Sequence, residues 1–140
     1  MKESVQNNNP EFSIIIPTYN TTDVLEQCIN ALSNQTADRK CCEVIVVNDG
    51  GKTEVVQDAN SAGSEIDIKY YSQNHKGPAA ARNLGIGKAR GEIILLLDDD
   101  SMPTENWMEA TIAAWERYPG YDGIGGYVIK DEAGSMYCRV

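Results

Sequence analysis

This chain has little that would suit a membrane. Its longest apolar run, Ile93 to Leu97, is five residues, against the roughly 20 that a spanning helix needs, and no charged-then-apolar leader opens it. Residues 1–11 are polar and Asn-rich and are expected to form a flexible tail ahead of a domain at 12–140. These absences predict a cytoplasmic protein, or one peripheral to the inner face of a membrane. Basic residues are also scarce. Twelve Lys and Arg stand against 21 Asp and Glu, a formal net charge of −9, which argues against nucleic acid as a partner because phosphate backbones demand clustered cations. The four cysteines include no CxxC pair, so neither a zinc site nor a redox motif is expected, only reduced thiols. What remains is an ordinary globular composition, 140 residues and 41% hydrophobic, enough for one domain with a core.

Continuous apolar runs alternate with helical patterns. FSIIIP (12–17) reads as a buried strand. A helix follows, with Thr21, Thr22 and Asp23 as candidate N-caps and Val24, Leu25, Cys28, Ile29 and Leu32 on one face. CEVIVVN (42–48) is a second strand closed by Asp49-Gly50-Gly51, and Val55 and Val56 suggest a short helix. Residues 66–71 make a third strand. Gly77-Pro78 opens an alanine-rich helix that Gly91 stops, and 93–97 is a fourth strand. Thr104 and Glu105 begin a last helix carrying Trp107, Met108, Ile112 and Trp115, with strands expected at 122–129 and from Ala133. The fold class is therefore α/β, a Rossmann-like, mostly parallel sheet with helices on both faces. In such sheets ligands bind beyond the carboxyl ends of the strands. Thr18 to Asn20, Asp49, Asn74 to Gly77 and Asp98 to Asp100 all fall there.

Three consecutive aspartates repel one another unless something neutralises them. In an extended segment Asp98 and Asp100 would share a face and suit a hard divalent cation, Mg²⁺ or Mn²⁺, bridging to phosphate oxygens; capping of the following helix is the plainer alternative. Asp49 offers an acceptor for a ligand N–H such as a uracil imide, or merely completes an Asp-Gly turn. Tyr19 can stack on a base or fill a gap. Lys76 and Arg82 can hold a diphosphate or lie on a solvated helix face. His75, the only histidine, reads as an exposed loop residue.

Taken together, FSIIIPTYN, VIVVNDGG, NHKGPAAARNLGIGKARGEIILLLDDD and the following Met-Pro-x-x-x-Trp resemble the nucleotide-sugar-binding half of family 2 glycosyltransferases of the GT-A fold. The resemblance runs from residue 12 to about 128 and keeps the motif order. It implies metal-assisted transfer of a sugar from a nucleoside diphosphate, UDP-sugar favoured, to an unknown acceptor, with inversion, as in polysaccharide biosynthesis. It implies a nucleotide site at Pro17, Thr18, Tyr19, Asp49, Lys76, Arg82 and Asp99, with Asn83 beside Arg82, and a metal site at Asp98 and Asp100. Asn48 stands where an acid is common, and Gly51 where serine is. The general base of such an enzyme is expected beyond Val140, so the chain is read as a truncated form that holds the donor site and lacks the acceptor half. The alternative is a non-catalytic nucleotide-sugar-binding or assembly module, paired through an exposed sheet edge with another chain or, as a homo-oligomer, with its own copy. Two other classes fit poorly. A receiver domain needs an acidic pair after its first strand, and a nucleotidyltransferase needs a Gly-x-Gly-Thr-Arg-type loop there.

Overall fold

The computed structural model describes residues 10–38, 41–51, 66–130 and 136–139. In chain order its elements are β1 (Phe12–Thr18), α1 (Thr22–Ser33), β2 (Cys42–Asn48), β3 (Asp67–Ser72), α2 (Pro78–Lys88), β4 (Ile93–Leu96), β5 (Ser101–Pro103), α3 (Trp107–Arg117), β6 (Tyr127–Lys130) and β7 (Met136–Arg139). β1 to β4 form a parallel sheet in the order β3-β2-β1-β4. The chain steps outward from β1 to β3, then returns to the other side of β1. That reversal opens a crevice between the ends of β1 and β4, where such sheets bind ligands.

Every residue of β1 and β2 is buried, because helices cover both faces. Phe12, Ile14, Ile16, Val44 and Val46 pack against Leu25, Cys28, Ile29 and Leu32 of α1 and against Trp107 and Met108 of α3. On the opposite face Ile15, Ile45 and Val47 meet Ala81 and Leu84 of α2. That helix lies very close to the sheet: a Cβ on Gly85 would stand 2.4 Å from Ile15 Cγ2. Gln35 fastens the end of α1 to the start of α3. Its amide donates to the Thr104 carbonyl at 2.8 Å and its Oε1 accepts the Met108 N–H at 2.9 Å.

At the foot of the sheet β2 carries a fully buried carboxylate, Glu43. Its Oε1 accepts from Ser13 Oγ and the Arg90 N–H, each at 2.7 Å. Its Oε2 accepts from Lys69 Nζ at 2.8 Å and Arg90 Nε at 2.9 Å. Burial alone would push this carboxyl up. The Lys69 ammonium, the Arg90 N–H, the Ser13 hydroxyl and the Arg90 guanidinium together outweigh it and hold the group at about 2. The network joins β1, β2 and β3 to the turn that leads into β4.

Several expectations shift. Pro10 is buried, and Glu11 bonds to both Cys41 and Ile93, so the ordered chain begins before residue 12; residues 1–9 of the expected tail lie outside the described residues, as do Val55 and Val56. The stretch 122–126 is exposed and forms no strand; its three glycines gain nothing from pairing that offsets their entropy. The strand starts instead at Tyr127, and it does not extend the parallel sheet. β6 pairs antiparallel with β7, which pairs with β5 in a separate small sheet. β5, only three residues long, carries no period to read. α3 starts at Trp107, after a Thr104–Trp107 turn, rather than at Thr104.

Candidate functional site

The loops after β1, β2 and β3 and the turn after β4 meet at one end of the sheet. Asp49 organises them. It is buried, and its Oδ1 accepts from Gln73 Nε2 at 2.6 Å and the Lys76 N–H at 2.8 Å. Oδ2 accepts the Gly77 N–H at 2.8 Å and lies 3.0 Å from His75 Nδ1. The Gln73 amide, ahead of the opposing effect of burial, and then the two backbone N–H groups and His75 hold this carboxyl below the ordinary aspartate range. Asp49 thus folds the 73–77 loop over the end of β2. Gly50 makes room for that loop: its φ is +84°, and a Cβ there would come within 2.6 Å of the His75 nitrogen. Asn48 closes the turn from both sides, donating to the Gly51 carbonyl at 3.1 Å and accepting the Gly51 N–H at 2.9 Å. An aspartate could only accept, so asparagine suits this turn.

The acidic triplet is a turn and not an extended segment. The Ser101 N–H donates to the Asp98 carbonyl at 3.1 Å, with Asp99 and Asp100 at the central positions. Alternation along a strand therefore does not set where these side chains point, correcting the extended geometry expected above. Asp98 pairs with Arg82 of α2 at 2.6 Å. Asp99 accepts from the Thr21 hydroxyl, which also sits 2.9 Å from Thr18 Oγ1. Asp100 is exposed. Among the described residues no three His, Cys, Asp or Glu side chains form a group able to hold a metal ion. An ion such as Mg²⁺ needs only one or two protein carboxylates and completes its shell with water and substrate phosphates.

Beside the rim, the outer edge of β4 borders an open cleft of about 770 Å³. Arg82 and Asp98 stand in its wall, with Trp107, Trp115, Ile124 and Val128 further along. Leu96 is 54% exposed on that edge. Among the described residues no helix is long and apolar enough to cross a membrane.

A profile of the family described as Glycosyl transferase family 2 matches residues 13–136. The chain belongs to glycosyltransferase family 2. It is 34% identical over 122 residues to "Glycosyltransferase AglE" of Haloferax volcanii, spanning 85% of this chain and 40% of that protein. Among solved structures, S. aureus TarS 1-349 in complex with UDP superposes with a TM-score of 0.70 at 25% identity, over 78% of this chain and 33% of that one. The mannosyltransferase PcManGT of Pyrobaculum calidifontis, in complex with GDP-Man and Mn²⁺, gives a TM-score of 0.66 at 21% identity, over 89% of this chain and 37% of that one. The last likeness speaks for the fold alone, the GT-A arrangement of a parallel sheet with helices. The chain spans well under half the length of these relatives.

Within this family 2 domain the structure gathers the expected site residues at one end of the sheet. Thr18 and Asp99 share the Thr21 hydroxyl, Arg82 pairs with Asp98, and the Asp49 N–H donates to the Thr18 carbonyl at 2.9 Å. Tyr19 is 46% exposed, its ring against that of His75. Lys76 takes part through its backbone N–H, while its side chain faces solvent. Pro17, next to last in β1, lies beside Val47 of β2. Sequence reasoning missed Gln73 and Thr21 as site residues. The pattern around Thr21 suggests only a cap, yet its side chain makes no cap bond and turns to Asp99 instead. Nothing in the local pattern marks either role, since both partners are distant in sequence.

Proposed function

We propose that these residues form the donor site of a metal-assisted, inverting glycosyltransferase that takes a nucleoside-diphosphate sugar, UDP-sugar favoured, with Mg²⁺ or Mn²⁺. The observation that carries this reading is the convergence, near the switch in strand order, of an aromatic ring (Tyr19), a loop pinned to Asp49 through the N–H groups of Lys76 and Gly77, and a cation paired with an acid (Arg82–Asp98). TarS, which shares the fold at 25% identity, has been crystallised with UDP and with UDP-GlcNAc. In this reading Pro17 to Tyr19 and the Asp49-centred loop receive the base. Arg82 and Lys76 face the diphosphate, and Asp98 and Asp100 hold the cation, with Asp99 fixing the turn. The cation, when bound, would neutralise charge on the departing diphosphate. Arg82 exchanges or shares its Asp98 contact with phosphate oxygens, for which a planar guanidinium is suited.

Calorimetric titration of the 140-residue chain with UDP and GDP, with and without Mn²⁺, tests this. UDP binding strengthened by Mn²⁺, with that gain abolished in Asp100→Ala, is the expected result. Binding without any response to metal or to Asp100→Ala would remove the metal from the reading. No binding of either nucleotide would favour an assembly module that pairs through the β4 edge, where Leu96 is exposed.

A further inference from the structure

We infer that His75 is a positioning residue that holds the Tyr19 ring in place as the platform for the nucleotide base. The inference rests on the donor-site reading above and names a residue outside the set given there. Tyr19 sits in the β1–α1 loop, just before Asn20, whose φ of 56° lies in the left-handed region, and its ring projects into solvent. One ring contact steadies it. The His75 imidazole stacks against it with centroids 4.4 Å apart and planes 31° from parallel.

His75 is itself anchored on β2 in two ways. Its Nδ1 lies 3.0 Å from both the Asp49 carbonyl and Asp49 Oδ2. Its backbone is seated on Gly50, where no side chain would fit. Rigidity therefore passes from the buried end of β2, through His75, to an exposed tyrosine on a different loop. His75 lies against one face of the ring, and with Tyr19 46% exposed the face assigned to a flat ligand is the other one. A platform fixed before binding spares the ligand the cost of ordering it.

The test is a double-mutant cycle read by calorimetry in Mn²⁺, using whichever of UDP and GDP binds the wild-type chain, with inorganic pyrophosphate as the ligand lacking a base. His75→Ala is expected to weaken nucleotide binding roughly three- to tenfold, the scale of an aromatic pair, and to leave pyrophosphate binding unchanged. His75→Phe, which keeps a flat ring but not the Nδ1 contact, is expected to recover most of the loss. In a Tyr19→Ala background His75→Ala is expected to have no further effect. Equal nucleotide affinity of His75→Ala and wild type overturns the inference while leaving the donor site standing. So does an equal loss for pyrophosphate, which would mean general loosening of the loop. A wild-type chain that binds neither nucleotide overturns the donor-site reading and this inference with it.

Discussion

Replacing Glu43 with glutamine should cost stability at neutral pH and progressively less in acid. The carboxyl stands at about 2 in the folded chain against an ordinary 4.5. Since folding lowers this value, the unfolded chain binds more protons between those two pH values. The ionised form's contribution is therefore complete above about 4.5 and fades as pH falls towards 2. A shift of that size corresponds to roughly 3 kcal/mol at pH 7 and about 1.5 kcal/mol at pH 3. Glutamine keeps the volume and one acceptor but presents an N–H₂ to Lys69 and Arg90, which are donors only. Removing one member of a buried ion pair typically costs about 3–5 kcal/mol. The low end applies here because Lys69 and Arg90 are partly exposed and can turn to water or to Asp67, which both already touch. For a chain of this length about 3 kcal/mol corresponds to a fall in Tm of about 10 °C. Urea unfolding of wild type and Glu43→Gln, followed by circular dichroism at pH 7, 5 and 3, measures the gap directly. Other carboxylates titrate alike in both proteins and cancel. A gap that stays constant from pH 7 to pH 3, or is absent at pH 7, would refute the assignment of this network as a buried, ionised clamp.

Gly85→Ala places a methyl 2.4 Å from Ile15 Cγ2. Overpacking is expected to cost about 1–3 kcal/mol despite alanine's better helix propensity, and a rise in Tm would show that α2 can lift off the sheet freely. Thr21→Val keeps the shape but removes the hydroxyl shared by Thr18 and Asp99. It is expected to cost about 1 kcal/mol and to weaken the Mn²⁺-dependent part of UDP binding several-fold, and unchanged calorimetry in Mn²⁺ would dismiss the role given to Thr21. Asp49→Asn replaces one carboxylate oxygen by an N–H₂, so that a donor faces either the Lys76 or the Gly77 N–H. Hydrogen exchange at the amide so opposed should accelerate at least about tenfold, consistent with local opening. In the wild type, because folding depresses the Asp49 carboxyl, both amides should stay protected at pH 4 and lose protection only below the ordinary aspartate range. Loss of protection already at pH 5 would contradict the bonding described.

The parts legible in the sequence are those where one physical requirement acts locally. Ile14 to Ile16 and Val44 to Val47 are apolar on both sides because helices cover both faces, and the runs show it without any partner in view. The apolar stripe of α1 and the Gly77-Pro78 opening of α2 are readable for the same reason. The placement of Asp49 and of the triplet at strand ends follows from alternation alone. What escaped depends on distance in the chain. Nothing near Gln73 announces that it serves a carboxylate 24 residues earlier, nor that Thr21 will meet Asp99 across 78. The turn at Asp98 is hidden in the sequence because aspartates after an apolar strand look like its continuation. The second sheet was hidden because Ser101 to Pro103 is too short to carry a period, and its neighbours in space come from the far end of the sequence.

β2 ends at both extremities in a sequestered acid whose partners come from elsewhere: Glu43 at its foot, and Asp49 one step past its tip. Parallel pairing depends on contacts made late and far apart along the polypeptide, and a strand of nearly uniform Val and Ile would otherwise slide with little penalty. Sliding β2 by two residues would keep its apolar faces correct yet carry both acids away from the groups that satisfy them, leaving two unmatched charges out of water. The strand thus works as a ruler with a stop at each end, rejecting the alignments that hydrophobic pattern alone would accept.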